Sequence, residues 1–275
     1  DECAIGLGAC DIKGAAAGLL AAAARTRGDC AFLFTTDEEA NDARCIAGFL
    51  ATRPDFDAAI VAEPTRAEAV LAHRGIASVR MRFAGRAGHA SSDNARDDSA
   101  LHQAVRWGTA ALAFSDARSH ERFGGLTGLR FNLGRVEGGI KANMIAPSAE
   151  VRFGFRPLPS MDTDALLATF RALGTTAPAE FEETFRGAAL PAGDTAGAEA
   201  RRLAARDLAD ELGLPVGNAV DFWTEAALFS AAGFTALVYG PGDIAQAHAA
   251  DEFVTLDQLQ RYTQSLIGIL DHGRA

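Results

Sequence analysis

The stretch CAFLFTTDEEANDARCIAGFLATRPDFDAAIVAE, residues 30–63, decides the fold class of this chain. Its ends, CAFLFTT (30–36) and DAAIVAE (57–63), are short apolar runs typical of buried parallel strands. The segment EANDARCIAGFLA (39–51) between them is typical of a helix, and GAAAGLLAAAA (14–24) predicts another helix before them. Helices that alternate with buried strands in this order predict an α/β domain with a mostly parallel sheet.

The pattern changes from about residue 76. IASVRMRFAG (76–85) alternates apolar and polar residues, which indicates a half-buried strand, and a helix is expected over about 97–114. Two further strands are expected in GLRFNLGRVEGG and NMIAPSAEVRFGFRPLP, then a helix that begins at Asp162 or Thr163, and a strand in AEFEETFRG. This order predicts a small antiparallel sheet with two helices on one face, an α+β domain.

The alternating pattern of helices and buried strands returns after residue 187. The expected elements are a helix in AEARRLAARDLADEL, a strand in PVGNAVDF, a helix in TEAALFSAAG, a strand in TALVYG and a last helix in LDQLQRYTQSLIGIL. We therefore expect one domain built from residues 1–75 and 187–275, with residues 76–186 inserted into it as a separate domain.

Composition limits the classes of partner. A length of 275 residues, of which 48% are hydrophobic, suits a globular protein of one large or two ordinary domains. The formal net charge of −10 disfavours nucleic acid as a partner. No apolar run is long enough to span a membrane, and the first residues lack a basic and apolar leader. The four cysteines, all in the first fifth of the chain, show no C-x-x-C spacing. A cytoplasmic protein without membrane or nucleic-acid partners is expected.

Four acidic residues and one histidine mark the expected site. Asp11 lies in GACDIKG, Glu38 and Glu39 in TTDEEAN, Glu63 in VAEPT, and His248 in QAHAADEF. The acidic segments lie where predicted strands end, which is where open α/β sheets build their sites. Carboxylates gathered there repel one another unless a cation binds among them, so a metal-dependent hydrolase is expected. Each residue also has an ordinary alternative, such as a solvated helix start, a strand-terminating acid or a surface histidine.

Two adjacent carboxylates suit a division of labour in which one binds metal and its neighbour takes a proton from a bound water. Three residues of the inserted block are further candidates. His89 lies among small residues in AGRAGHASS, Arg156 precedes the Pro that stops a strand, and Asn143 follows a Gly-Gly turn. Arg156 could clamp a carboxylate and Asn143 could donate to it, whereas a surface ion pair and turn chemistry are their ordinary alternatives.

Taken together, the motifs resemble a known family. GACDIKG, TTDEEAN, VAEPT, HRG, AGRAGHAS, GGIKANMIAP, RPLP, WTEAALF and GPGDIAQAH occur in the order found in dinuclear zinc amidohydrolases of the acetylornithine deacetylase, succinyl-diaminopimelate desuccinylase, aminoacylase and carboxypeptidase family. The resemblance covers essentially the whole chain. Stretches such as VLAHRGI, RFGGLTGLRFN and AVDFWTEA resemble most the bacterial branch that deacetylates N-acetylcitrulline.

The resemblance implies a role for each candidate. Asp11 would bridge two zinc ions, Glu39 and His248 would bind one of them and Glu63 the other, with Glu38 as the general base. His89 would act in the site of a second subunit, which implies a homodimer formed through the inserted domain. The substrate would contact Asn143 and Arg156 through its carboxylate, and Thr224 and Gly240 would lie near it.

The implied reaction is the hydrolysis of an N-acetyl-L-amino acid, N-acetylcitrulline or N-acetylornithine, in arginine biosynthesis. Co²⁺ or Mn²⁺ could replace zinc, since all three accept carboxylate and imidazole. Desuccinylation, aminoacylase activity and dipeptide cleavage would use the same apparatus. The family also has a His-x-Asp motif upstream of the position of Asp11, where this chain begins, so an N-terminal segment is expected to be absent. A silent fragment that acts as a dimerising module is therefore a further alternative. Magnesium-dependent phosphoryl transfer is disfavoured, because no phosphate-binding loop occurs.

Overall fold

The computed structural model describes residues 2–25, 30–38 and 44–272 of the chain. The chain divides into two compact units. The first unit contains Asp1–His73, Leu190–Gly193 and Gly197–Ala275, and the second unit contains Arg74–Ala189 and Asp194–Ala196. The sequence-based domain cuts at 75/76 and 186/187 lie within three residues of the borders of the long segment of the second unit.

The elements are numbered in chain order. The strands are β1 (Cys3–Ile5), β2 (Ala58–Val61), β3 (Ile76–Ala84), β4 (Arg122–Phe123), β5 (Leu126–Thr127), β6 (Arg130–Gly138), β7 (Ser148–Arg156), β8 (Glu180–Gly187), β9 (Thr235–Val238) and β10 (Phe253–Thr255). The helices are α1 (Gly14–Ala23), α2 (Arg44–Ala51), α3 (Ala95–Asp98), α4 (Ala100–Asp116), α5 (Thr163–Ala172), α6 (Ala198–Glu211), α7 (Ala226–Ala231) and α8 (Leu256–His272).

The second unit is built on a four-stranded antiparallel sheet with the order β6-β7-β3-β8. Residues of β3 alternate between buried and more exposed positions along its length, as the sequence pattern predicts. Helices α4 and α5 contribute Trp107 and Phe170 to the same core as Phe153 of β7. Helix α5 starts where expected, because the Asp162 carboxylate accepts the N–H groups of the two residues at its first turn. The predicted antiparallel sheet with two helices is confirmed.

The first unit combines parallel and antiparallel strand pairs with helices. Strands β2 and β9 are parallel, and β1 and β10 are antiparallel. Helix α1 packs against α8, where Gly18 lets the two helices approach so closely that an added Cβ would lie 2.9 Å from the buried Tyr262 ring. The small residues of GAAAGLLAAAA therefore form a helix, as predicted, that packs closely against α8. The α/β fold class is confirmed.

Two strands expected in the first unit do not form. Residues 30–36 belong to no strand, and their side chains Phe32, Leu33 and Phe34 are 36%, 40% and 51% exposed. The segment 215–222 makes only isolated parallel bridges, at Val216 and Val220. An apolar run becomes a strand only where an aligned neighbour accepts its backbone hydrogen bonds, and no strand pair of the described chain includes either segment. The ladder of parallel strands is consequently shorter than the sequence pattern predicts.

The length and hydropathy of a helix decide whether it could cross a membrane. In the part of the chain that the structure describes, none of the helices has both the length and the apolar character needed to cross a bilayer.

Candidate metal centre

The first expected ligand, Asp11, lies on a short turn that follows strand β1. Residues Ala9–Lys13 form one π-helical turn, inside which Asp11 departs from helical geometry with φ −123° and ψ 91°. Gly8, just before the turn, has φ 81°, a conformation that favours glycine because it has no Cβ. Only 14% of the Asp11 side chain is exposed. The turn therefore presents a largely buried carboxylate.

The second expected ligand, His248, reaches Asp11 from the loop between β9 and β10. Its Nε2 atom lies 3.0 Å from Oδ2 of Asp11. The preceding 3₁₀ turn, Ile244–Gln246, is started by Asp243, whose carboxylate accepts the N–H of Ala245 at 3.0 Å. His248 has a φ of 57°, which few residues other than glycine adopt. A carboxylate and an imidazole that are remote in sequence thus lie side by side, and both are ligand types that zinc binds.

A buried carboxylate, Glu252, binds the backbone of the turn that carries Asp11. Its Oε1 accepts the N–H groups of Cys10 and Asp11, each at 2.9 Å, and its Oε2 accepts the N–H of Gly8 at 2.8 Å. Burial by itself would raise the pKa of the Glu252 carboxyl, but these hydrogen bonds outweigh burial, and the pKa lies below its ordinary value. Glu252 is therefore ionised at neutral pH although it is only 2% exposed.

The expected general base, Glu38, lies in an acidic group with Asp37 and Glu225. Asp37 Oδ2 accepts the N–H of Cys45 at 2.8 Å, and Glu225 Oε2 accepts the hydroxyl of Thr35 at 3.3 Å. Their other oxygens, Asp37 Oδ1 and Glu225 Oε1, are buried without a hydrogen-bond partner among the described residues. Burial and then the charge of Glu38 raise the pKa of Glu225 to about 7. A proton is therefore retained next to Glu38 over part of the neutral range.

The last two expected ligands are Glu63 and Glu39. Glu63 lies two residues after β2, and Gly240 approaches it so closely that a Cβ on Gly240 would lie 2.4 Å from the Glu63 carbonyl oxygen. Glu39 lies outside the described residues. Within residues 2–25, 30–38 and 44–272, no group of three or more His, Cys, Asp or Glu side chains is placed to hold a metal ion. The structure pairs Asp11 with His248, and the set of four ligands stays a prediction.

Thr224 and Gly240, both expected near the substrate, are tied into the backbone of the first unit. Thr224 is buried, and its Oγ1 accepts the N–H of Ala226 at 3.3 Å, where α7 begins. The N–H of Gly240 donates to Thr65 Oγ1 at 3.0 Å, and its carbonyl accepts the N–H of Ala67 at 2.8 Å. These contacts fix both positions, and contact with a substrate stays a prediction.

In the second unit the structure brings His89 and Asn143 together. The carbonyl of Asn143 accepts the N–H of Ala90 at 3.0 Å, and His89 forms an isolated antiparallel bridge with Met144. The exposed His89 ring places Nδ1 2.7 Å from Oγ of Ser91. The segments that carry the expected imidazole and the expected amide side chain are therefore paired.

Arg156 is the last residue of β7, as the following Pro157 predicts. It pairs with Arg130 of the edge strand β6. Its carbonyl faces the guanidinium of the fully buried Arg74, which also donates to the carbonyls of Thr127 and Gly128. Arg74 therefore stabilises the end of the strand that carries Arg156.

Sequence reasoning missed Glu225 and Glu252. Glu225 directly follows Thr224 in WTEAALF, and Glu252 lies four residues after His248 in AHAADEF. Each is a single acid in a segment already chosen for another residue. What distinguishes both is deep burial, which the sequence pattern of these loops does not predict.

Several known proteins are similar to this chain in sequence or in structure. The N-acetyl-L-citrulline deacetylase of Xanthomonas campestris pv. campestris is 71% identical over 267 residues, which cover 97% of this chain and 73% of that protein. The acetylornithine deacetylase of Yersinia pseudotuberculosis is 31% identical over 287 residues, with 97% of this chain and 70% of that protein covered. The resemblance that the motifs indicate is confirmed.

The crystal structure of aminopeptidase PepT from Bacillus cereus superposes with a TM-score of 0.62 at 16% identity, over 88% of this chain. The chain spans 63% of the length of that protein, and at this identity the likeness shows the fold alone. Residues 1–272 match the model for peptidase family M20/M25/M40. The expectation of a metal-dependent hydrolase is thereby confirmed at the level of the family, because the chain belongs to peptidase family M20/M25/M40, whose members are metallohydrolases.

Proposed function

We propose that this chain belongs to a cytoplasmic enzyme that hydrolyses the amide of an N-acetyl-L-amino acid in arginine biosynthesis. The observation that carries the proposal is the contact of 3.0 Å between Nε2 of His248 and Oδ2 of Asp11, because it joins two expected metal ligands from opposite ends of the chain. The identity of 71% with an N-acetyl-L-citrulline deacetylase supports N-acetylcitrulline as substrate over N-acetylornithine.

The residues present fit a zinc centre in their donor chemistry. Asp11, Glu39, Glu63 and His248 would hold two Zn²⁺ ions, and Co²⁺ or Mn²⁺ would be accepted by the same mixture of carboxylate and imidazole. Bound zinc supplies a water molecule whose pKa is lowered toward neutrality. The largely buried Asp11 side chain suits this role, since a buried carboxylate requires a compensating positive charge or hydrogen bonds.

Glu38 would take the proton from the attacking water and return it to the leaving amine. Its neighbour Glu225 shares the acidic group and has a pKa of about 7, so its charge varies with pH close to the proposed base. The two carboxyls repel each other when both are ionised. A protonated Glu225 therefore leaves one negative charge fewer in the surroundings of the proposed base.

Two kinds of residue would hold the substrate. Some would bind it through polar side chains, and others would lie beside it at positions that hydrogen bonds fix. Arg156 and Asn143 would bind the substrate carboxylate, for which a guanidinium is the matching partner. His89 would stabilise the oxyanion in the site of a second subunit of a homodimer. Thr224 and Gly240 would lie near the bound substrate, held by the hydrogen bonds that each makes to the backbone or to Thr65.

The first experiment is Glu38→Gln in the full-length, zinc-loaded protein. We expect hydrolysis of N-acetylcitrulline to fall by roughly 10²- to 10⁴-fold because the general base is lost. Zinc content, measured by atomic absorption, should not change. Glu182→Gln serves as control, since this side chain is exposed on the sheet of the second unit. Unchanged turnover would eliminate Glu38 as base.

The substrate is tested with the unaltered protein. N-acetylcitrulline, N-acetylornithine, N-succinyl-diaminopimelate and a dipeptide are compared by kcat/KM, and we expect the first to be preferred. Failure of the metal-loaded, full-length protein to hydrolyse any acetylated amino acid would overturn the proposal.

The shared site is tested with His89→Ala. This variant should lose turnover with little loss of stability, because the His89 ring is exposed. Mixing it with Glu38→Gln and allowing subunits to exchange should restore part of the activity, since one site of a mixed dimer then contains both intact residues. Absence of any rescue, with exchange shown by mass spectrometry, would contradict the action of His89 in a second subunit.

A further inference from the structure

We propose that Glu252 is a positioning residue of the metal centre, which fixes the backbone of residues 8–11 so that the Asp11 carboxylate keeps its orientation beside His248. The inference rests on the proposed metal-dependent function, because it concerns the same site. Glu252 is not among the expected site residues. Its hydrogen bonds and its place in the fold both connect it to that site.

The Glu252 carboxylate uses both oxygens on one short segment. Oε1 binds the N–H groups of Cys10 and Asp11, and Oε2 binds the N–H of Gly8, at 2.8–2.9 Å. Hydrogen bonds to a charged acceptor are stronger than those between neutral groups. The backbone carbonyl of Glu252 also accepts the N–H of Gly6 at 2.9 Å. One residue thereby supplies acceptors for four N–H groups along the segment that leads to Asp11.

Strand pairing explains how Glu252 reaches this segment. Strand β10 starts at Phe253, which pairs with Ile5, the last residue of β1. Glu252 precedes β10 and the turn follows β1, so the antiparallel pair places the side chain of Glu252 opposite the backbone of the turn. Both elements extend into loops that carry an expected ligand.

Glu252 also links the two ligand loops through the chain itself. It lies four residues after His248, and its N–H donates to the carbonyl of Ala249 at 3.2 Å. At the other end, its carboxylate binds the amide of Asp11 directly. Movement of Glu252 would therefore displace both members of the pair that is 3.0 Å apart. Groups that orient metal ligands in this way affect metal affinity as well as folding.

The decisive variant is Glu252→Gln, compared with Asp251→Asn. Gln has the size of Glu but one acceptor oxygen, and its NH₂ group would face at least one backbone N–H that can only donate. Asp251 is adjacent and exposed, so Asp251→Asn removes the same charge without touching the turn. Zinc affinity is measured by competition with a chelator, and ligand geometry by the visible absorption of Co²⁺-substituted protein, both with the full-length protein.

We expect Glu252→Gln to fold and to bind zinc roughly 10- to 100-fold more weakly, with an altered Co²⁺ spectrum and a lower kcat at similar KM. Asp251→Asn should match the unaltered protein in every measurement. Glu252→Asp keeps the charge but is one methylene shorter, and it serves as the second variant if Glu252→Gln does not fold. It too should weaken zinc binding and alter the spectrum.

The inference is overturned if a folded Glu252 variant binds zinc with unaltered affinity and spectrum. It is also overturned if neither variant folds, because Glu252 would then be needed for the fold as a whole. The unaltered protein separates this failure from failure of the proposed function. Zinc binding and N-acetylcitrulline hydrolysis by the unaltered protein, with no effect of Glu252→Gln, would leave the function standing and remove only the role of Glu252.

Discussion

Different forces stabilise the second unit and the candidate site of the first unit. In the second unit, large aromatic side chains fill the space between the sheet and the helices, and Trp107 places its ring centroid 4.7 Å from that of Phe153. At the candidate site, buried carboxylates bind backbone N–H groups, as Glu252 does for Gly8, Cys10 and Asp11. Apolar packing is non-directional, whereas a carboxylate fixes particular atoms. Apolar packing therefore contributes stability in the second unit, whereas hydrogen bonds to carboxylates fix the positions of particular backbone atoms at the candidate site.

The largest effect is expected from the core of the second unit. Trp107→Ala removes a fully buried ring, together with its hydrogen bond of 2.7 Å to the carbonyl of Phe170. We expect the free energy of unfolding to fall by about 3–5 kcal/mol, measured by urea denaturation. Val105→Ala on the same helix is the control, because Val105 is 60% exposed and should change stability by less than about 0.5 kcal/mol. Similar losses for the two variants would show that this core does not dominate stability.

The buried carboxylate of Glu225, in the first unit, should make the stability of the fold depend on pH. Burial raises its pKa from 4.5 to about 7, so the folded state binds this proton more tightly than the unfolded state. The favourable contribution is complete below about pH 4.5 and is lost as the pH rises through about 7. At pH 8 the ionised, buried group therefore destabilises the fold.

Glu225→Gln in metal-free protein should remove this dependence and stabilise the fold at pH 8 by up to about 3 kcal/mol. Thermal unfolding at pH 5 and pH 8 measures the difference between the two proteins. The gain should be much smaller at pH 5, where Glu225 retains its proton in the folded state. An equal gain at both values would contradict a raised pKa for Glu225.

The smallest effect concerns the close helix packing of the first unit. In Gly18→Ala the new Cβ would lie 2.9 Å from the buried ring of Tyr262. Overpacking should outweigh the gain in helix propensity of about 1 kcal/mol and leave a net destabilisation of about 1 kcal/mol. Gly48→Ala, on α2, meets no atom within 4 Å and should stabilise by about 0.5–1 kcal/mol. Urea denaturation compares the two, and a stabilised Gly18→Ala would mean that α1 and α8 can separate without loss.

The elements predicted best are those whose pattern is local. Strand β3 alternates between buried and more exposed residues, and α5 starts at Asp162 because its carboxylate caps the first turn. The apolar run at 30–36 predicts a strand on the same grounds, yet it pairs with no strand of the described chain. A local pattern specifies which faces of an element are apolar. Strand pairing also depends on a neighbouring strand, which the local pattern does not identify.

The same distinction applies to the candidate site. The motifs predicted Asp11 and His248, and the structure places them 3.0 Å apart. Glu39 lies outside the described residues, and the common site of all four expected ligands stays a prediction. Glu225 and Glu252 were not predicted, because an isolated acid in a polar loop is usually exposed.

The sequence by itself determined the family, the fold class and the candidate residues, because these depend on residue types in a fixed order along the chain. The tertiary structure alone decided which carboxylates are buried and which atoms they bind. Glu252 reaches the N–H groups of Gly8, Cys10 and Asp11, more than 240 positions away, only because β1 and β10 pair. Burial and hydrogen bonding set the charge and orientation of a carboxylate, and both arise from contacts between distant segments.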